Sequence, residues 1–410
     1  MEMTARFCRA TRCPGYFRSI TKRCRSAGSR SRSRSMIITR TPFRISFFGG
    51  GTDYPGWYRE HGGAVLSTTI DKYCYLTVRH LPPFFEHRIR VVYSRIESCN
   101  RIDQIQHPAV RETLRLLNIE RGVEIHHDGD LPARSGMGSS SAFTVGLLNA
   151  LHALNGSMAS KKQLAHEGIR IEQEILKETV GSQDQVNAAY GGFNHILFHQ
   201  SDEISVRPVI LPPARLKELS SHLMLFYTGI ARTADQVAST YVPSLEQKRR
   251  QLRILRDMVD ESLSILCGSG GIRGFGELLH ESWLVKSSLS EKISSSHIDQ
   301  IYLAAREKGA VGGKITGAGG GGFLLLFVPP ERQTAVRETL HDLLHVPFTF
   351  ENSGSQVIFF DREEDFSALE EDTKIRSLAA FREMGADDGR AAALPLRVLP
   401  DPVECRIVQP

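Results

Sequence analysis

Long apolar runs are absent from this 410-residue chain: none approaches the roughly 20 residues a membrane-spanning helix needs, so a membrane role is not expected. Cysteine is thinly spread. Three of seven (Cys8, Cys13, Cys24) lie near the start, and Cys74, Cys99, Cys267 and Cys405 are far apart with no CxxC pair. That argues against a zinc site or a disulfide framework and points to a reducing, cytoplasmic setting. No G-x-x-x-x-G-K-[ST] occurs, which excludes a Walker A phosphate loop. Acid is nearly missing from residues 1–35, which hold ten Lys or Arg against Glu2 alone. That segment carries +9, so the rest carries −4 of the chain's +5. A mildly acidic body gives no general reason to expect nucleic-acid binding.

The basic leader ends in Ser-Arg-Ser-Arg-Ser-Arg-Ser before Met36, where strand-like Ile37-Ile38-Thr39 begins. A transit peptide, a nucleic-acid arm and a dispensable extension starting ahead of Met36 are the readings it admits, and the last is favoured. From about 363 the chain turns acidic and then Ala/Pro-rich, which suggests a short helix near 365–384 and a loose tail.

Glycine is where the sequence is richest. In 131–143 (LPARSGMGSSSAF) a proline and Gly136 and Gly138 lead into Ser139, Ser140 and Ser141. Phe143, Leu147, Leu151 and Leu154 then recur at helical spacing, and Val123, Ile125 and His127 alternate as in a strand. Strand, glycine loop and helix N-terminus together form a phosphate-binding arrangement, because free backbone N–H groups and the helix dipole favour an anion. A second cluster, 314–323 (KITGAGGGGF), satisfies G-x-G-x-x-G, but a buried-strand run (Phe323–Val328) follows where a dinucleotide fold needs a helix. A helix around Ile298, Ile301, Tyr302 and Ala305 is expected to end at Gly309 before it. Its glycines Gly317, Gly319 and Gly320 are candidates for close approach to substrate or phosphates.

In the third cluster, 41–54 (TPFRISFFGGGTDY), a strand runs into three glycines and Asp53, a carboxylate placed to accept sugar hydroxyls. Arg44 is an isolated charge among apolar residues, so if buried it must be paired or functional. In the fourth, a helix stripe of Leu164, Gly168, Ile171 and Ile175 carries Glu172, and Gly181 and Asp184 follow. One carboxylate could hold Mg²⁺ while the other takes a hydroxyl proton.

The segments 40–54, 132–142 and 314–323, in that order, resemble the three motifs of the GHMP kinase superfamily over roughly 36–362. FGGGTDYP, GSQDQ and AYGGFN resemble most the branch acting on heptose phosphates, near the fucokinase-type sugar kinases. The resemblance implies an α+β fold of two domains. A domain like ribosomal protein S5 domain 2 would span 36–205 and bind ATP, and a ferredoxin-like domain would span 206–362. Residues 1–35 would stand before them as a leader and 363–410 after them as an extension.

It also implies roles. Asp184 is the catalytic base and Arg44 accompanies it near the reacting hydroxyl. Pro132, Arg134, Ser135, Gly136, Met137, Gly138, Ser139, Ser140 and Ser141 surround the ATP phosphates, Ser140 and Glu172 hold Mg²⁺, and Asp53 contacts the sugar. Galactokinases carry Glu-His where this chain has Gly50-Gly51, which argues against galactose. The implied reaction uses ATP to phosphorylate the anomeric hydroxyl of D-glycero-D-manno-heptose 7-phosphate, giving the 1,7-bisphosphate. A fucokinase-like kinase of a free sugar and a non-catalytic ATP and sugar sensor are the alternatives. Arg88, Arg90, Arg95 and Lys72 are candidates for the substrate phosphate, and no spacing selects among them. The implied partners are a sugar phosphate and ATP; the oligomeric state is open. Removing residues 1–35 is expected to leave kinase activity at the full-length level in a coupled ADP-release assay.

Overall fold

The computed structural model describes residues 34–82, 84–230, 237–240, 242–363 and 406–408. Most of the basic leader and the helix expected near 365–384 lie outside these residues.

The long strand Arg34–Phe48 and its antiparallel partner Gly63–His80 form the spine of a ten-stranded sheet. Between them Pro55 starts a short helix (Pro55–His61), where proline's missing N–H costs nothing. The second strand is long enough to serve two partners. Its C-terminal half pairs with Val123–Gly129 and its N-terminal half with Asn194–Phe198. Ile89–Val92 joins Val123–Gly129 in parallel, and Ile96–Cys99 lies beyond it. The helix Ser139–Leu154 packs across both long strands. It is buried almost all round, as its unbroken run of small and apolar residues requires.

A second, four-stranded antiparallel sheet is built in the order Leu344–His345, Leu223–Tyr227, Phe323–Phe327 and Gly312–Ile315. Helices Arg249–Cys267 and Arg273–Ser287 pack on each other, and the latter lies on Gly312–Ile315. Phe275 links the sheets, meeting Phe47 and Phe48 edge-on at 5.5 and 5.1 Å and Phe327 at 6.2 Å. This is the mixed α+β architecture expected.

Two expectations are corrected. Residues 350–362, expected within the C-terminal domain, return to the first sheet. Phe350–Glu351 pairs with Ile70 and Thr69, and Gln356–Glu363 pairs along 34–40. Strand pairing between segments some 300 residues apart is a tertiary choice that local pattern does not carry. Cys99 is disulfide-bonded, although the cysteine spacing suggested no bridge, because separation in sequence does not measure separation in space.

The two glycine loops face each other backbone to backbone. A Cβ on Gly136 would lie 2.5 Å from the Thr316 carbonyl oxygen, and one on Gly317 would lie 2.6 Å from that of Gly136. At Gly322, where φ is +87°, a Cβ would lie 2.1 Å from the Ser135 carbonyl oxygen. Gly322→Ala therefore combines a backbone clash with left-handed strain and is expected to lower unfolding free energy by about 2–4 kcal/mol in urea titration.

Candidate active site

Three elements deliver polar side chains to one place. Arg44 lies on the first strand and is only 5% exposed. Its Nε and Nη2 donate to the two carboxylate oxygens of Asp184, both at 2.7 Å, and its Nη1 donates to the Gly136 carbonyl at 2.6 Å. Its backbone N–H donates to the Met137 carbonyl at 3.1 Å. Asp184 stands in the first turn of helix Gln183–Tyr190 and keeps 24% of its side chain exposed. A fork-to-fork pair of this kind fixes the plane of the carboxylate as well as its position.

The phosphate-loop candidate approaches the same carboxylate. Gly138, left-handed at φ +76°, caps helix Ser139–Leu154, and a Cβ there would lie 3.5 Å from Asp184 Oδ2. The first N–H groups of that helix have no partner within it and supply positive potential beside the carboxylate. Pro132, Arg134 and Ser140 are exposed, and Gly136, Gly138 and Ser139 are half-buried. Ser135, Met137 and Ser141 point inward. Ser135 and Met137 therefore present backbone rather than side chain to any ligand.

Glu172 lies in a turn of π-helix, Arg170–Ile175, which inserts into the helical path begun by Lys161–Ile169. It is 1% exposed, and burial pushes its carboxyl up to about 7. Its Oε2 accepts from Ser141 Oγ at 2.8 Å and from the Gln185 amide. Its Oε1 has no partner. The serine bonded to Glu172 is thus Ser141, while Ser140, the other Mg²⁺ ligand the resemblance implies, is exposed at the helix start. Neighbouring helical residues point about 100° apart, so only Ser141 faces inward here. An orphaned, buried carboxylate oxygen beside a serine hydroxyl is a hard-oxygen donor set that fits Mg²⁺.

Asp53 is 1% exposed, and its oxygens accept the backbone N–H groups of Gly51 (2.9 Å) and Gln183 (3.3 Å). It clamps the glycine turn to the helix that carries Asp184. Burial and the nearby Asp184 charge raise its carboxyl above the usual range. Gly319 and Gly320 are buried against Ile293, and Gly317 packs on Gly136. All three glycines thus have packing contacts in the loop, and Gly317 is half-buried.

Two buried lysines escaped the sequence reading. Lys286 Nζ donates to the Gly317 carbonyl, and Lys314 Nζ donates to the Phe47 carbonyl at 2.9 Å. Burial, then the charge of Arg44, lowers Lys286 to about 8 against the pull of Asp53 and Asp184. Lys314 is lowered by burial, then by Lys286 and Arg44. A usable signal existed for Lys286, since it continues the apolar stripe of Phe275, Leu279 and Trp283 at helical spacing.

Comparison with known proteins shows that the chain carries both domains of the GHMP kinases, which are phosphotransferases. The GHMP kinases N terminal domain matches residues 104–192, and the GHMP kinases C terminal domain matches 263–345. Among its relatives is the D-glycero-alpha-D-manno-heptose 7-phosphate kinase of Campylobacter jejuni. It is 28% identical over 309 residues, covering 72% of this chain and 91% of the relative. The bifunctional fucokinase/GDP-fucose pyrophosphorylase of Arabidopsis thaliana is 24% identical over 73% of this chain, which spans only 31% of that longer protein. The fold is shared with a D-glycero-D-manno-heptose 1-phosphate kinase from Bacteroides thetaiotaomicron. That structure aligns with a TM-score of 0.63 at 24% identity, over 80% of this chain and 99% of the other. Among the described residues, no helix is long and apolar enough to cross a membrane.

The lysine shift has a measurable consequence. Lys286 binds its proton to pH 10.5 when unfolded and to about 8 when folded. Below pH 8 its burial therefore costs up to about 3 kcal/mol, a cost relieved as pH rises from 8 to 10.5. Urea unfolding is expected to show that rise in the wild type and not in Lys286→Met.

Proposed function

We propose that the chain transfers the γ-phosphoryl group of ATP to a sugar hydroxyl, with Asp184 as the base, and that its acceptor is D-glycero-D-manno-heptose 7-phosphate, phosphorylated at the anomeric hydroxyl. The observation that carries the first part is the bidentate Arg44–Asp184 pair set against the N-terminus of helix Ser139–Leu154. Phosphoryl transfer asks little covalent chemistry of the protein and depends on positioning and on stabilising charge. The similarity to the Campylobacter jejuni heptose 7-phosphate kinase supports the choice of acceptor. Gly50 and Gly51 stand where galactokinases carry two polar residues, which disfavours galactose.

In this reading the glycine–serine loop and the unpaired N–H groups at the helix start hold the ATP phosphates. Glu172, with a hydroxyl of the serine turn, would hold Mg²⁺, which neutralises phosphate charge when bound. Asp184 retains lone pairs beyond the two that Arg44 engages, and its partial exposure lets a hydroxyl approach. It accepts the proton from the attacking hydroxyl, and Arg44 holds the carboxylate plane and steadies the developing charge.

The test is ADP release with product detection by phosphorus NMR over heptose 7-phosphate, free mannoheptose, fucose and galactose. A new anomeric phosphate on heptose 7-phosphate alone is expected. Turnover only on a free sugar would overturn the choice of acceptor. Asp184→Asn should lower kcat by roughly 10²–10⁴-fold with ATP affinity within about twofold of wild type. Near-normal turnover in that variant would remove Asp184 from the base role.

A further inference from the structure

Arg44, Asp53, Lys286 and Lys314 are all buried, and they lie close enough to feel one another's charge. Arg44 and Asp184 neutralise each other through two hydrogen bonds. Lys314 is tied to the Phe47 carbonyl and driven toward its neutral form, first by burial and then by Lys286 and Arg44. Asp53 is bonded by the backbone N–H groups of Gly51 and Gln183, so its charge is left to be offset through space. Lys286 is the group that offsets it: its ammonium is drawn by Asp53 and Asp184 against the repulsion of Arg44. With that charge counted the cluster is neutral. Without it one negative charge remains beside the place proposed for the ATP phosphates, and it repels them.

Lys286 also has a mechanical role. Its Nζ reaches from the end of helix Arg273–Ser287 to donate to the Gly317 carbonyl. Gly317 packs on Gly136, where a Cβ would lie 2.6 Å from the Gly136 carbonyl oxygen. That same oxygen accepts from Arg44 Nη1, and Arg44 holds Asp184. The phosphate-loop candidate is thus gripped on one side by Arg44 and on the other by a loop that Lys286 holds. Stability alone does not account for the lysine. Burial lowers its hold on a proton to about 8, so its charge works against folding. A residue that breaks a local rule in this way is expected to serve the site it faces.

We propose that Lys286 is a positioning residue for phosphoryl transfer: its ammonium holds the Gly317 loop against the phosphate-loop candidate and offsets buried Asp53, which clamps the start of the helix bearing Asp184. The inference rests on the sugar-kinase reading above.

The test assays the full-length wild type, Lys286→Met and Lys286→Arg with Mg-ATP and whichever sugar the wild type phosphorylates. The pH runs from about 6.5 to 10, with thermal unfolding of each protein. In the wild type, kcat/KM for ATP should fall above about pH 8, as Lys286 loses its proton. Lys286→Met should be lower on the order of 100-fold at neutral pH, the scale of a misplacement of about 1 Å, and should show no fall near pH 8. It should melt no lower than the wild type, because the charge it removes opposes folding. Lys286→Arg keeps a charge at every pH tested, so it should recover about tenfold of the loss and also lack the fall. A lysine with a structural role alone would lower the melting temperature and leave the pH profile of the remaining activity unchanged. A wild-type profile flat through pH 8, or the same alkaline fall in Lys286→Met, would overturn the positioning role. Wild type and Lys286→Met decide this by themselves if Lys286→Arg does not fold. Turnover of no sugar by the wild type would overturn the sugar-kinase reading, and this role with it.

Discussion

The site depends on one buried cation. Arg44 must be almost completely satisfied where it sits, because an unpaired guanidinium in the interior costs several kcal/mol by rough estimate. Satisfaction comes from two distant parts of the chain: Asp184 by two hydrogen bonds and the Gly136 carbonyl by one, while the neighbouring Met137 carbonyl accepts from the Arg44 backbone N–H. The strand, the phosphate-loop candidate and the helix bearing the proposed base are thereby held in one register. The geometry that catalysis would need follows from the requirement to neutralise one arginine.

Glycine does two different things around that pair. Gly136, Gly317 and Gly322 let two loops touch backbone to backbone, and Gly181 leaves space for Asp53, whose Oδ2 would lie 1.9 Å from a Cβ there. These are packing roles, and they set how closely the two sheets' loops approach. Gly50 is different, since a methyl group would fit and the groups around it are polar and incompletely partnered.

Burial also sets the electrostatics. Glu172, Asp53, Lys286 and Lys314 are all shifted toward their neutral forms with desolvation as the main cause. Asp184, the most open of the buried-site carboxylates, is the one held by a full charge pair. Such an arrangement leaves one carboxylate partly open while its neighbours are held inside the protein. The matches to the two GHMP kinase domains and the similarity to heptose-phosphate and fucose kinases agree with such a site.

Local chemistry in the sequence was enough for the helix that opens at the serines, the helix ending before Gly309 and the demand that Arg44 find a partner, while the α+β class followed from the resemblance of the glycine motifs. The first three depend on residues close in the chain or on the cost of isolating one charge. The partner of Glu172 was not legible, because a π-turn and the rotation of a helix decide which serine faces it. The inward turn of Asp53, the return of residues 350–363 to the first sheet and the arrival of Lys286 beside Gly50 were not legible either. All of them join segments far apart in the chain. Sequence periodicity says which face of an element is buried, and only the packed structure says what that face meets.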